Sequence, residues 1–230
     1  VPSEPGTSLY IRPFIMATEV GLGVRTAQHY VFVIILSPSG NFYPEGLDPV
    51  SIYVEDEYVR AVKGGTGQAK TPGNYAASIL AQKIANEAGY SQVLWLDGIK
   101  HETIEEVGSM NVFFVIDGEI HTPAINGSIL QGITRRSVIE LLSHHGYKVV
   151  ERPIPLKEIL ADIEDGKATE AFGSGTAAVI SPIRSLYFEG EDYIFGDGKI
   201  GPITQKTYDA LTGIQFGLKE DPLGWNTPIK

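Results

Sequence analysis

The sequence predicts an α+β protein with mixed strands and helices (mixed α/β), and three observations lead to this prediction. Short runs rich in β-branched and aromatic residues indicate strands. Longer segments with apolar residues at helical spacing indicate helices. The two types do not alternate regularly, as repeated βαβ units would require. With 230 residues, 43% of them hydrophobic, the chain can form one large domain or two small ones.

The first quarter of the chain is predicted to be mostly extended. Residues 9–17 (LYIRPFIMA) and 29–36 (HYVFVIIL) have the composition of strands. Residues 37–49 are rich in Pro, Gly and Asn and predict a long loop. Residues 52–62 return to strand-like composition and are predicted to form a pair of strands.

The first helix is predicted over residues 75–88, with Asn74 as its N-cap and Gly89 as its C-terminal stop. Buried strands are predicted at residues 93–97 and 109–116. An Asp-Gly pair after the second of these predicts a tight hairpin that leads into a strand at residues 119–121.

Helices and strands follow each other through the remaining sequence. Further helices are predicted at residues 132–145, 156–163 and 204–216. Further strands are predicted at residues 149–154, 169–172, 177–183 and 186–188, with a Gly-Ser-Gly-Thr turn after the second of them.

Composition limits the partners. The formal net charge is −10 and the sequence contains no cysteine. A negative chain without a basic run is a poor match for nucleic acid or an anionic membrane. The lack of cysteine excludes disulfides and thiolate catalysis, and no apolar run reaches the ~18 residues of a membrane helix. The five histidines lack metal-ligand spacing, so no metal site is predicted.

The stretch GGTGQAKTPGNYAAS places Lys70 among small residues. Its spacing partly matches the nucleotide loop G-x-x-x-x-G-K-[ST], but Ala69 replaces the second glycine and Pro72 follows where helix is required. Two interpretations remain. Lys70 is either a reactive amine in a crowded, partly desolvated site, or a solvated loop lysine.

Three further segments carry candidate chemistry. In HETIEEVGSMN, adjacent Glu105 and Glu106 point to opposite sides of an extended chain, so one can face inward, or both can belong to a surface turn. The segments NGSILQGITR and FGSGTAA can offer backbone N–H groups to an anion. Alternatively, the first is an ordinary helix entry and the second is a plain glycine turn between strands.

Taken in order, the lysine loop, WLDG, EVGSMN, NGSILQGITR and FGSGTA resemble the class IV aminotransferases, which use pyridoxal 5'-phosphate (PLP). Within that family the set most closely resembles the branched-chain amino-acid aminotransferases. The resemblance begins at Tyr10 and reaches the end of the chain. It implies the large PLP-binding domain of the class IV, D-amino-acid aminotransferase-like fold.

The resemblance implies a role for each matching residue. Lys70 is the catalytic residue, which binds PLP covalently and later moves a proton. The other expected PLP contacts are the phenol of Tyr75, the carboxylate of Glu106 at the ring nitrogen, the side chain of Leu130 on the ring face, and Ile133, Thr134 and Thr176 at the phosphate. The expected substrate contacts are Tyr10, Arg12 and Ala177.

The resemblance also implies a division of the chain. Residues 1–49 are expected to supply substrate-pocket strands and an interdomain loop, and residues 50–230 the PLP-binding large domain. The family's N-terminal small domain is expected to be absent, since the chain begins at Val1 within a loose lead. Pro72 stands where the family usually has glycine or another small residue, so a stiffer lysine loop is expected.

The function implied is a cytoplasmic, homodimeric transaminase. It would move the amino group of leucine, isoleucine or valine to 2-oxoglutarate, with amino acids and 2-oxo acids as its small-molecule partners. The chain by itself is expected to be inactive. The alternatives are a D-amino-acid aminotransferase, an aminodeoxychorismate lyase, or a fragment that binds PLP or is structural only, without turnover.

Overall fold

The computed structural model describes residues 2–4, 7–40 and 47–227, which fall into two compact units. The first unit is Val1–Gly46 and the second is Leu47–Lys230. The first unit contains an antiparallel ribbon of two strands, β1 (Ser8–Ala17) and β2 (Tyr30–Ser39).

The second unit contains nine strands and four helices among the described residues. Its strands are β3 (Val50–Glu55), β4 (Gln92–Leu96), β5 (Ile104–Val107), β6 (Asn111–Ile116), β7 (Glu119–Pro123), β8 (Val149–Arg152), β9 (Ala168–Gly175), β10 (Val179–Phe188) and β11 (Glu191–Ile194). Its helices are α1 (Pro72–Glu87), α2 (Ile133–His144), α3 (Leu156–Glu164) and α4 (Pro202–Gln215).

The nine strands form one mixed sheet in the order β5-β4-β3-β10-β9-β6-β7-β8, with β11 paired to β10. Strand β3 is parallel to both of its neighbours, and β7 is parallel to β8. The register places Glu106 of β5 opposite Trp95 of β4, and Asn111 of β6 opposite Ser174 of β9. These pairings bring several candidate segments into one sheet.

Both faces of the sheet are buried at its centre, and β6 shows this most directly. Its residues Val112, Phe114 and Ile116 pack in one hydrophobic cluster with α3, whereas Phe113 and Val115 pack in a second cluster with α2 and α4. Successive strand residues point to opposite faces, so a strand covered on both sides is apolar throughout. The sequence NVFFVI has that character.

The predicted fold class is confirmed, since strands and helices are mixed without a repeating order. The three helices predicted after α1 are all present, with ends shifted by at most two residues. The C-terminal stop of α1 is also confirmed: Gly89 has φ +92°, and its N–H donates to the carbonyl of Asn86 at 3.0 Å. A Cβ would strain that backbone conformation.

Several predicted elements are wrong. The strand pair at residues 52–62 is a single strand that ends at Glu55, whose carboxylate accepts the N–H groups of Glu57 and Tyr58 and so turns the chain. Of the Gly-Ser-Gly-Thr turn predicted at residues 173–176, the first three residues belong to β9, and the turn begins at Thr176. The two strands predicted at 177–183 and 186–188 are the single strand β10, which has only a register shift against β3 at that point.

The start of α1 also lies before the predicted one. The helix begins at Pro72, with Thr71 as its N-cap, because proline is well suited to the first helical position. Strands β5 and β11 were not predicted. Part of the loop predicted at residues 37–49 lies outside the described residues, and β2 extends to Ser39.

We expect Phe113→Ala to lower the free energy of unfolding by about 3–5 kcal/mol, as is typical of a deleted core phenylalanine. Phe113 is fully buried and stacks on Phe172, with ring centroids 5.0 Å apart. Urea denaturation followed by circular dichroism measures the loss. Phe216→Ala is the matched control, because Phe216 is 53% exposed. Equal effects of the two substitutions would contradict the assignment of the core.

Candidate functional site

Lys70 and Tyr75 are in direct contact. Lys70 ends the glycine-rich loop, and Tyr75 lies in the first turn of α1. The Lys70 Nζ donates a hydrogen bond to the Tyr75 hydroxyl at 2.8 Å. Lys70 is exposed, so the crowded, partly desolvated surroundings expected for a reactive amine are not present among the described residues. The Tyr75 phenol is nevertheless hydrogen-bonded to the Lys70 amine.

Asn74 holds the loop that carries Lys70. Its side chain is buried, its Nδ2 donates to the carbonyls of Thr66 at 2.8 Å and Ala69 at 2.9 Å, and its Oδ1 accepts from the Thr66 hydroxyl at 2.7 Å. The predicted helix cap is therefore wrong, because Asn74 uses its polar atoms on the loop instead. These bonds fix the backbone immediately before Lys70.

Glu106 is a buried carboxylate with partners from three other parts of the chain. Its Oε1 accepts the N–H of Leu130 at 3.0 Å and the Nδ2 of Asn111 at 3.2 Å. Its Oε2 lies 2.5 Å from the Nε of Arg60. The Arg60 N–H does not align along a hydrogen bond, so this contact is an ion pair. Buried carboxylates require partners of this kind.

Burial raises the pKa of Glu106 from 4.5 to about 7. The charge of Arg60 and the N–H of Leu130 act in the opposite direction, whereas the neighbouring Glu105 carboxylate adds to the increase. A carboxyl group with a pKa near neutrality, placed in a cleft beside a cation, is a common property of functional sites.

The two adjacent glutamates are both buried, which corrects the expectation of a surface turn or of a single inward carboxylate. Glu105 accepts hydrogen bonds from the Ser128 hydroxyl and from the Nδ2 of Asn126, the latter at 3.0 Å. Glu106 binds Arg60 and the Leu130 backbone instead. They do not form an acid pair with each other, as the alternation of side chains along a strand predicts.

A cleft of about 210 Å³ joins several of these groups. Tyr75, Glu106 and Leu130 all line it, together with Arg60, Asn74 and Trp95. Lys70 does not line the cleft, but its amine binds the hydroxyl of Tyr75, which does. The structure therefore brings three of the predicted site residues to one cleft and places Lys70 beside it.

The start of α2 lies close to the Glu106 partners. The helix begins at Ile133, and its first backbone N–H groups, including that of Thr134, lack acceptors within the helix. A Cβ on the preceding Gly132 would overlap the Oδ1 of Asn111. Only glycine permits that approach. The beginning of α2 therefore packs directly on the Asn111 side-chain amide, which also binds Glu106.

The turn between β9 and β10 contains Thr176 and Ala177, and both are exposed. Just before it, Ser174 pairs with Asn111 across β9 and β6, and opposite residues of such a pair share one face of the sheet. The Ser174 hydroxyl is buried and has no hydrogen-bond partner among the described residues. A polar group is therefore left free on the face that Asn111 occupies.

Tyr10 and Arg12 lie in the first unit, on β1. The Arg12 Nη2 donates to the Tyr10 hydroxyl at 3.0 Å, and the Arg12 guanidinium carbon lies 4.9 Å from the Tyr10 ring centroid. Residues two apart on a strand share a face, so this contact follows from the sequence spacing.

Three residues of the site were not predicted: Arg60, Asn74 and Asn111. Arg60 and Asn111 lie in segments that the sequence predicts to be strands, and nothing local distinguishes them as partners of Glu106. The sequence predicts Asn74 only as a helix cap. Its position between the loop and α1 could have indicated its role in the loop, since asparagine often binds backbone groups of a nearby turn.

The part of the chain that the structure describes has neither a metal-binding cluster nor a membrane-spanning helix. It holds no cluster of three or more metal-ligating side chains. None of its helices has the length and hydropathy needed to cross a membrane.

Comparison with known proteins gives consistent matches. The family model described as amino-transferase class IV matches residues 3–186. Branched-chain-amino-acid aminotransferase 2 of Bacillus subtilis (strain 168) is 58% identical over 229 residues, which are 100% of this chain and 63% of that protein. The chain thus spans less than two thirds of the length of this relative.

Solved structures of similar proteins also match. The crystal structure of Escherichia coli branched-chain amino acid aminotransferase has a TM-score of 0.80 and 33% identity, covering 94% of this chain and 69% of that one. A T.th. branched-chain amino acid aminotransferase, complexed with N-(5'-phosphopyridoxyl)-L-glutamate, has a TM-score of 0.77 and 27% identity, covering 95% of this chain and 68% of that one.

The raised pKa of Glu106 predicts a pH-dependent stability. The unfolded chain releases this proton near pH 4.5, whereas the folded chain keeps it until about pH 7. The contribution of Glu106 to stability is therefore complete below pH 4.5 and lost as the pH rises to about 7. The loss amounts to about 3 kcal/mol, since each pH unit corresponds to about 1.4 kcal/mol.

Urea unfolding at a series of pH values checks this prediction. Because Glu106→Gln removes the titrating group, the stability of the wild type relative to this variant should decrease between pH 4.5 and about 7. Glu140→Gln, at a largely exposed position, is the control. A constant difference between wild type and Glu106→Gln across this interval would contradict the burial of a titrating carboxyl.

Proposed function

Since the chain belongs to the amino-transferase class IV family, we propose that it is the PLP-binding part of a transaminase for branched-chain L-amino acids. The amino donors are leucine, isoleucine and valine, and the acceptor is 2-oxoglutarate. One observation carries the proposal: buried Glu106 lines the same cleft as Tyr75, whose hydroxyl binds the amine of Lys70. PLP is held by a lysine amine and by a side-chain partner at its ring nitrogen, and Lys70 and Glu106 offer those two groups.

The residues present fit PLP. Glu106 offers a buried carboxylate to a protonated ring nitrogen, and Arg60 holds it in place. The free N–H groups at the start of α2 suit a phosphate. The unpartnered hydroxyl of Ser174, on the face occupied by Asn111, is one more donor for an anion near that helix start.

Each predicted residue is assigned a role. Lys70 would provide the amine for covalent attachment of PLP and would move a proton at the substrate α-carbon. Tyr75 would donate to a cofactor oxygen, Leu130 would pack on the ring, and Glu106 would hold the proton on the ring nitrogen. The remaining assignments are phosphate contacts by Ile133, Thr134 and Thr176, and substrate contacts by Tyr10, Arg12 and Ala177. PLP supplies an electron sink for the carbanion left when the α-proton departs.

The choice of substrate rests on the relatives. The Bacillus subtilis protein and both solved structures are named as branched-chain aminotransferases. The phosphopyridoxyl-glutamate complex of one of them supports PLP as cofactor and glutamate, hence 2-oxoglutarate, as the second substrate. These names favour branched-chain substrates over D-amino acids and aminodeoxychorismate.

The division of the chain is part of the proposal. Residues 1–49 supply strands to the substrate pocket, and residues 50–230 form the PLP-binding domain. The Bacillus subtilis relative is longer than this chain, and its additional N-terminal part is assigned to complete the pocket. Homodimer formation stays a prediction, which sedimentation velocity of the complete protein can test.

We expect PLP to attach covalently to Lys70. Titration of the chain with PLP should produce the visible absorbance band of a lysine-bound cofactor. Reduction with borohydride followed by peptide mass spectrometry should place the adduct on Lys70. Lys70→Ala should abolish both signals. Lys63→Ala is the matched control, because Lys63 is an exposed lysine of the same loop. Adducts spread evenly over surface lysines would contradict the site.

We expect no measurable transamination by the chain alone, since it spans 63% of its Bacillus subtilis relative and Lys70 is exposed. Addition of the relative's N-terminal part should restore conversion of leucine and 2-oxoglutarate to glutamate, measured by a coupled glutamate assay. D-alanine and aminodeoxychorismate serve as competing substrates. Preference of the completed protein for either of them would overturn the assigned substrate.

A further inference from the structure

Arg60 lies where three parts of the site meet. Its Nε pairs with the Glu106 carboxylate on β5 at 2.5 Å. Its Nη2 donates to the backbone carbonyl of Ser128 and, at 3.4 Å, to that of Gly67 in the lysine loop. The Arg60 side chain is 9% exposed. A single guanidinium therefore contacts the carboxylate, the loop before α2 and the loop that ends in Lys70.

The two loops are also in direct backbone contact. A Cβ on Gly67 would overlap the carbonyl oxygen of Ser128, so only glycine fits there. The two carbonyls that Arg60 binds belong to the two residues in this contact, Gly67 and Ser128. A planar guanidinium with several fixed donors can hold two carbonyls and a carboxylate together, which a lysine ammonium on a flexible stem does poorly.

The charged groups around Glu106 are few. Arg60 is the cation that acts on it, and Glu105 is the neighbouring anion on the same strand. Asn111 and the Leu130 N–H are neutral donors. Tyr75 lines the same cleft and binds the amine of Lys70. Removal of Arg60 would thus leave Glu106 buried beside a second carboxylate, with only neutral donors.

We infer that Arg60 is a positioning residue that couples the Glu106 carboxylate to the lysine loop. It favours the charged form of Glu106 and holds that side chain at the cleft, and it fixes the backbone from which Lys70 extends. The inference rests on the proposed function, since the carboxylate and the amine act together only on a bound cofactor. Its two physical consequences are nevertheless measurable on the chain without cofactor.

The test compares Arg60→Gln, Arg60→Lys and wild type by NMR. The carboxyl carbon of Glu106, assigned by its loss in Glu106→Gln, reports the titration of that group. Amide hydrogen exchange of residues 66–70 reports the lysine loop. Arg60→Gln should raise the Glu106 midpoint by at least ~1 pH unit, because an opposite charge at this distance lowers a carboxyl pKa by about 1–3.

Arg60→Lys keeps the positive charge of Arg60 but removes its planar guanidinium. Arg60→Lys should keep the Glu106 midpoint within ~0.5 pH unit of wild type, yet exchange of residues 66–70 should accelerate at least ~10-fold because the carbonyls lose their donors. Arg136→Gln, at an exposed arginine of α2, should change neither signal. Arg60→Lys also decides the matter if Arg60→Gln fails to fold.

Two outcomes would overturn the inference: an unchanged Glu106 midpoint in folded Arg60→Gln, or wild-type exchange of the lysine loop in Arg60→Lys. Failure of wild-type chain to bind PLP would instead overturn the proposed function, and the two NMR signals would still decide the coupling. A loss of unfolding free energy without change in either signal would show that Arg60 only stabilises the fold.

Discussion

The buried carboxylate of Glu106 is the constraint on which the rest of the site depends. A carboxylate in an apolar interior is costly unless cations and hydrogen-bond donors surround it. Glu106 lies on β5 at the end of the sheet, and the donors come from Arg60 before the lysine loop, Asn111 on β6 and the Leu130 backbone before α2. Satisfying one buried charge thus determines where three separate segments meet.

The two halves of the site differ in how they are held. The carboxylate half is buried, and sheet pairing and an ion pair fix it. The amine half is exposed, and local bonds from Asn74 to the loop fix it. Arg60 is the connection between them. A site built in this way has a rigid acid and an accessible amine, which suits a cofactor that must enter, attach and exchange its amino group with substrates.

Much of the fold could be predicted from the sequence, because apolar periodicity marks helices and buried strands. Residues 109–116 predict a buried strand, and residues 111–116 form β6, which is covered on both faces. The errors occur where a tertiary contact decides the outcome. The Glu55 carboxylate ends a strand that composition would continue, and Asn74 binds a loop instead of capping a helix. Arg60 could not be predicted, since its role depends on Glu106, a residue far away in the sequence.

The glycines of the candidate loops show why order along the chain was more informative than any single motif. Gly67 and Gly132 are required because backbone or amide atoms of Ser128 and Asn111 occupy the space of a Cβ. Both glycines serve close packing between segments. Each motif taken separately has an ordinary structural explanation. Several of these motifs approach each other closely around Glu106. The site therefore needs them together in one chain.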